Sequence, residues 1–201
     1  QSPYVNEAEL EHINDGRENT VEAKEIAPWG KLLKSSQFWS LGLQFMITDY
    51  IMYVFLAWLP LYLMEVHGFS LSKMGLWAAA PWLSLMAVVS CCGYLSDKAI
   101  AAGFSQNLVK TSTGAVGILL CACTLFIATR TADPMMNVFW LSVALGSLGL
   151  TMSASWSSVI SMGGRFAGSV SGWMNFWGNI GGVLAPSVTA WVATTYGWQA
   201  A

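Results

Sequence analysis

Beyond residue 37 the chain is written as five long apolar runs separated by short polar breaks. The runs lie near 38–64, 75–96, 108–129, 137–161 and 167–195, and the breaks between them carry HGFSLSK, DKAIAAGFSQN, RTADPMM and MGGR. A helix needs about 20 apolar residues to cross roughly 30 Å of hydrocarbon, so each run is long enough for one crossing. The breaks are short enough to join antiparallel neighbours. The expected fold class is therefore an all-α membrane protein with five transmembrane helices. Ahead of them, residues 1–36 are polar, acid-rich and interrupted by Gly16 and Pro28, which keeps them out of a bilayer. This divides the chain into a solvated connector, 1–36, and a transmembrane part, 37–201. In the connector, Glu7, Glu9 and Glu11 beside Leu10 and Ile13 predict one short amphipathic helix, and Trp29 with Lys31 and Lys34 reads as an interfacial anchor.

Polar and small residues inside the runs are the next signal, because lipid offers them no partner. In the fifth run Gly168, Gly172, Asn175, Asn179, Gly182 and Pro186 follow one another at spacings of three or four, which lays them on one stripe of a helix. Gly168 to Gly172 and Gly178 to Gly182 also have the spacing of a close helix-packing seam. The fourth run repeats the pattern with Ser142, Gly146, Gly149, Ser153 and Trp156. Two consecutive spans with small, polar faces predict a shared wet interior. The first run carries Gln44 and Thr48 on one face, Asp49 near the bilayer midplane, Tyr53 one turn beyond and able to reach it from the same face, and Pro60, which breaks the backbone pattern toward the far end. The second run has Pro81 near one end and closes at the other with Gly93, Tyr94, Leu95, Ser96, Asp97, Lys98, where a carboxylate and an ammonium could latch a neighbouring helix terminus. The third run, with Gly114 and Gly117 and no polarity at mid-membrane, reads as a scaffold or lipid-facing helix.

Composition agrees: 55% of the residues are hydrophobic and 10% charged, far more apolar than a soluble domain of 201 residues requires. The net charge of −2 says little, because seven of the eleven acids lie in the first 25 residues. Placing the connector in the cytoplasm puts Arg17, Lys24, Lys31, Lys34, Lys98, Lys110 and Arg165 inside and only Lys73 and Arg130 outside, which fixes the orientation. No basic patch points to nucleic acid. Cys91, Cys92, Cys121 and Cys123 lie within apolar runs without metal-site spacing and read as small core residues. His12 and His67 are isolated, and no nucleophile with a base or glycine-rich phosphate loop occurs, so neither an enzyme nor a cofactor is implied.

The segments YVNEAELEHI, QFMITDYIMYVFLAWLPLYL ahead of HGFS, AAAPW, GYLSDK, TMSASW and FAGSVSGWMNFWGNIGGVLAP together resemble the C-terminal half of a major facilitator superfamily transporter. The resemblance is to its anion:cation symporter family, which includes galactonate, glucarate and hexuronate permeases. It implies that residues 1–36 are the central cytoplasmic connector, that the five helices are spans seven to eleven of twelve, and that six N-terminal spans and the last are absent. It also implies that Gln44, Ser153, Trp156 and Asn175 line a sugar-acid site, with Gly93, Asp97 and Lys98 in a cytoplasmic gating motif. Asn179 and Asp49 join the substrate-binding set from their positions. Where the family carries a neutral residue, often Asn, this chain has Asp49, and the loop after Lys98 lacks the further basic residues of the motif. A protonated hydrogen-bond donor to substrate, an extra proton carrier and a salt-bridge partner for a cation in the missing half are its three roles, the first and last being favoured.

The function so implied is secondary active transport of a small organic anion such as a sugar acid. The resemblance implies coupling to protons or sodium, alternating access and a place in a bacterial inner membrane, with the lipid bilayer and the missing N-terminal half as partners. A transport-inactive solute sensor of the same fold and a transporter of aromatic acids are the alternatives.

Overall fold

A computed structural model describes residues 27–198, and the predicted connector helix near Glu7–Ile13 lies outside them. The helices are α1 (Trp29–Leu32), α2 (Ser36–Glu65), α3 (Leu71–Trp77), α4 (Ala79–Ala101), α5 (Gln106–Arg130), α6 (Pro134–Gly163) and α7 (Ala167–Tyr196), with a 3-10 turn at Gly164–Phe166. Polar breaks supply the caps. Ser70 Oγ accepts from Lys73 N at 3.4 Å, Ser105 Oγ from Leu108 N at 3.2 Å, and Asp133 Oδ1 from Met136 N at 2.8 Å with Pro134 opening the helix.

Four stretches are long and apolar enough to cross a membrane, and the last, Pro134–Tyr196, runs for 63 residues. It is two crossings. Gln44 of α2 meets Ser155 while Tyr62 meets Asn137, so α2 and α6 are antiparallel. Phe38 stacks on Trp173 and a side chain at Gly182 would meet Tyr53, so α2 and α7 are parallel. Chain direction therefore reverses between α6 and α7. The reversal falls at Gly164, whose φ of 49° and ψ of −122° suit a residue without Cβ. Five crossings result, with Lys98, Lys110 and Arg165 all at one end, called here the basic end.

Glycines set the close approaches. Gly146 and Gly149 of α6 face α4, where a Cβ at Gly149 would lie 3.0 Å from Val89 and 3.2 Å from the Leu85 carbonyl oxygen. Gly117 of α5 faces Ser147 and Thr151 of α6, and Thr151 Oγ1 donates to Gly114 O at 3.1 Å. The scaffold role read for α5 is consistent with this seat on α6. One core cluster joins Phe55, Leu59 and Leu63 of α2 to Leu141, Leu145 and Leu148 of α6, and a second joins Phe38, Leu41 and Phe45 to Val159, Val170 and Met174.

Pro60 lies inside α2 without a backbone N–H to donate, and the helix continues to Glu65 with Leu59 and Leu63 on either side of it buried in the first cluster. One expectation is corrected. Cys92 and Cys121 are buried as read, whereas Cys91 and Cys123, each on another face of its helix, are exposed.

Candidate functional site

Helices α6 and α7 contain no Asp, Glu, Lys, Arg or His, so any chemistry on their faces comes from amides, hydroxyls and indoles. Asn175 and Asn179 stand one turn apart on α7. Asn175 Nδ2 donates to Ser171 O at 3.0 Å and Asn179 Nδ2 to Asn175 O at 2.8 Å, which steadies both side chains along the helix and leaves each amide with unused bonding capacity. A Cβ at Gly168 or Gly172 would meet nothing within 4 Å, so the side of α7 bearing these four residues is open. Gly178, Gly181 and Gly182 carry a close seam against α2, as the spacing of Gly178 and Gly182 predicts, and this takes Gly182 out of the amide stripe.

On α6, Trp156 is 40% exposed and meets Phe45 of α2 edge-on, with ring centroids 6.1 Å apart and planes at 85°. Ser153, half-buried, lies one turn before it on the side of the helix that carries Gly149. Trp156 thus offers an exposed indole, and Ser153 a partly covered hydroxyl on the side of α6 turned toward α4.

Gln44 goes elsewhere. Its Nε2 donates to Ser155 Oγ at 3.0 Å, and Ser155 in turn donates to Thr151 O at 2.8 Å. It lines a cavity of about 370 Å³ between α2, α5 and α6 together with Lys110, Gly114 and Ser158, a flank of α6 that α7 does not share. A larger cavity of about 460 Å³ lies toward the opposite end, lined by Phe55, Trp58, Tyr62, Leu125, Arg130 and Trp198 among others. Neither cavity includes Ser153, Trp156, Asn175 or Asn179. Ser155 was missed in the sequence. Its signal is a second polar row on α6, Ser147, Thr151, Ser155 and Ser158, spaced four, four and three apart.

Asp49 is only 8% exposed, packed by its own side chain against Gly178 of α7, and its Oδ1 has no hydrogen-bond partner. Tyr53, expected to reach it, instead lays its ring over Gly182, with ring carbons 2.8 to 3.0 Å from where a Cβ would stand. At the basic end of α4, Gly93 has open space where a Cβ would go, Asp97 is exposed, and Lys98 Nζ sits 4.6 Å above the ring of Tyr94 on the same helix.

A family model described as Major Facilitator Superfamily matches residues 4–186. The chain is 27% identical over 208 residues to a D-galactonate transporter of Escherichia coli, covering 98% of this chain and 48% of that protein. It is 26% identical over 197 residues to a chloroplastic ascorbate transporter of Arabidopsis thaliana, covering 98% of this chain and 36% of that protein. With a chloroplastic sodium-dependent phosphate transport protein of the same plant the identity is 24% over 199 residues, covering 99% and 39%. The chain thus spans less than half the length of these curated relatives.

Proposed function

The chain belongs to the Major Facilitator Superfamily, and from that premise we propose that it forms one half of a secondary transporter for a small organic anion, a sugar acid such as galactonate. In this reading residues 1–36 are the central cytoplasmic connector, the basic end is cytoplasmic and the membrane is the bacterial inner membrane. The observation that carries it is that α6 and α7 hold no charged side chain while Trp156 and Asn179 are exposed and Ser153 and Asn175 are partly so. Amides and a hydroxyl hydrogen-bond a polyol, an indole offers a flat apolar wall, and the absence of fixed negative charge on both helices spares an anion from repulsion. The relatives named for galactonate and ascorbate transport support a hydroxyl-rich acid as substrate class. Gln44 then acts through Ser155, as a brace between α2 and α6 behind this face.

The other half of the site, and the cation for the substrate carboxylate, come in this reading from the remainder of the parent protein. Asp97 and Lys98 serve the cytoplasmic gate, where opening and closing change their neighbours. Asp97→Asn is expected to slow turnover more than it weakens binding, since its effect falls on a conformational equilibrium.

Uptake of radiolabelled galactonate by the parent protein in proteoliposomes tests the reading, with proton and sodium gradients imposed separately. Saturable, gradient-driven accumulation that Asn175→Ala or Asn179→Ala weakens is expected. Tight binding with no flux under either gradient would instead indicate the solute sensor, and uptake of aromatic acids in preference to galactonate would move the substrate class.

A further inference from the structure

Asp49 is an acid at membrane depth that the substrate face does not use. Its side chain is more than nine-tenths buried within this half of the fold, in the seam between α2 and α7, with Oδ1 unpartnered. Its carboxylate and the Phe45 ring close over Gly178, and Tyr50 and Tyr53 are the titratable neighbours on its own helix. No cation faces it from α6 or α7, because neither helix contains one. A carboxylate so enclosed is poorly placed to meet a cation of another part of the protein, and ionised without one it would be strongly disfavoured. A bound proton resolves this. It turns the side chain into a neutral group that the apolar seam accepts.

We propose that Asp49 is a proton-binding site of the transport cycle, its carboxylate exchanging one proton with water each time the seam between α2 and α7 loosens. The step balances simply: the proton is taken from water on one side, neutralises the carboxylate while the seam is closed, and returns to water on the other side. The inference rests on the transport reading above and adds to it a position. Asp49 packs on Gly178, the residue before Asn179, so a change in its protonation alters the contact that sets the azimuth of the amide stripe. The seam is tight enough to be sensitive. A Cβ at Gly178 would lie 2.9 Å from the Phe45 ring, and one at Gly181 would strike the Met46 carbonyl oxygen. Displacement of the buried carboxylate on ionisation therefore moves α7 relative to α2.

The test has two independent readouts on the parent protein in proteoliposomes. Infrared difference spectra between neutral and alkaline pH should show a protonated carboxylic acid in the wild type that is absent from Asp49→Asn; this readout needs no substrate. With radiolabelled galactonate as probe, Asp49→Asn should retain exchange across the membrane without a gradient while losing at least tenfold of proton-driven accumulation. Retained exchange also shows that the variant is folded. Should Asp49→Asn not fold, the wild type alone decides, with aspartate carboxyl groups isotopically labelled to assign the acid band. A wild type lacking that band, an Asp49→Asn variant that accumulates substrate as before, or one that loses only sodium-driven accumulation would each overturn the inference. Absence of galactonate exchange in the wild type would overturn the substrate reading instead, leaving the infrared result to judge Asp49.

Discussion

Gln44 and Ser155 face each other across α2 and α6, 111 residues apart in the chain, with Nε2 donating to Oγ at 3.0 Å. Ser155 is buried and donates its hydroxyl to Thr151 O of its own helix, so its position is held and the single bond from Gln44 ties α2 to α6. Under the proposed function this pair braces the helices without touching substrate, which separates two consequences that a common site would merge.

Gln44→Ala is expected to cost stability of about 0.5–1.5 kcal/mol, the usual net worth of a hydrogen bond, and to leave the apparent substrate constant of the parent protein nearly unchanged. Asn175→Ala should do the reverse, weakening substrate by a similar amount with little effect on unfolding. Thermal unfolding in detergent and uptake kinetics on the same preparations check both. A raised substrate constant in Gln44→Ala would return Gln44 to the lining.

Gly181→Ala probes the parallel seam between α2 and α7. The new methyl would strike the backbone carbonyl of Met46 and stand 3.2 Å from Tyr50 N, and backbone cannot turn aside as a side chain can. Overpacking of this kind costs about 1–3 kcal/mol, here through a forced separation of the two helices. Gly172→Ala, on the open side of the same helix, should be tolerated. Unfolding midpoints of the two variants, compared with wild type, should differ clearly; equal midpoints would mean that the seam is looser than the geometry implies.

His67 gives the α2–α3 junction a pH dependence. Burial lowers its pKa below the ordinary 6.5, partly opposed by the Asn137 side chain and the charge of Asp133, and its Nε2 lies 3.3 Å from the Tyr62 hydroxyl. The unfolded chain then takes up a proton more readily than the folded one. No stability is lost to this group above about pH 6.5, and stability falls as the pH drops through the interval between the unfolded and folded values. His67→Gln should flatten that part of the stability profile. Unfolding midpoints measured between pH 8 and pH 5 decide it, and an unchanged slope in the variant would remove His67 as the cause.

The five crossings were legible because each is a run of apolar residues longer than the bilayer requires, and helix ends at Ser36, Arg130 and Gly163 fall within a few residues of the positions that hydropathy alone marks. What stayed hidden is azimuth. Gly182 lies roughly 60° from Asn179 on a helical wheel, close enough to be grouped with it as well as with Gly178, and the Tyr53 ring opposite decides for the seam. Gln44 carried the right chemistry for a sugar-acid site, yet its neighbour is fixed by how α2 and α6 rotate against each other, which no local pattern encodes. Asp49 was legible as an anomaly; that it is enclosed by Gly178 emerged only from the packing.

Asn137 provides the sharpest test of how buried polarity is balanced. It is fully buried in the first turn of α6, where Nδ2 donates to Tyr62 OH at 3.1 Å and to Ala128 O at 2.9 Å, tying α2 and α5 to α6 with one amide. Its Oδ1 has no partner, and Ala128 O also accepts from Thr131 N at 3.1 Å. Asn137→Ala loses both donated bonds and opens a void, for about 1–3 kcal/mol. Asn137→Leu loses the same bonds but fills the space and removes the unpaired oxygen, so it should cost less. Asn137→Asp keeps the shape and should cost most, because it sets an acceptor-only carboxylate against the Ala128 carbonyl beside a His67 that burial keeps neutral at neutral pH. The expected order of stability is wild type, Leu, Ala, Asp, read from unfolding midpoints in detergent at neutral pH. Lowering the pH should rescue Asp alone, since a protonated carboxyl regains one donor. An Asp variant as stable as Ala at neutral pH would mean that water reaches the node and that its bonds are not what joins the three helices.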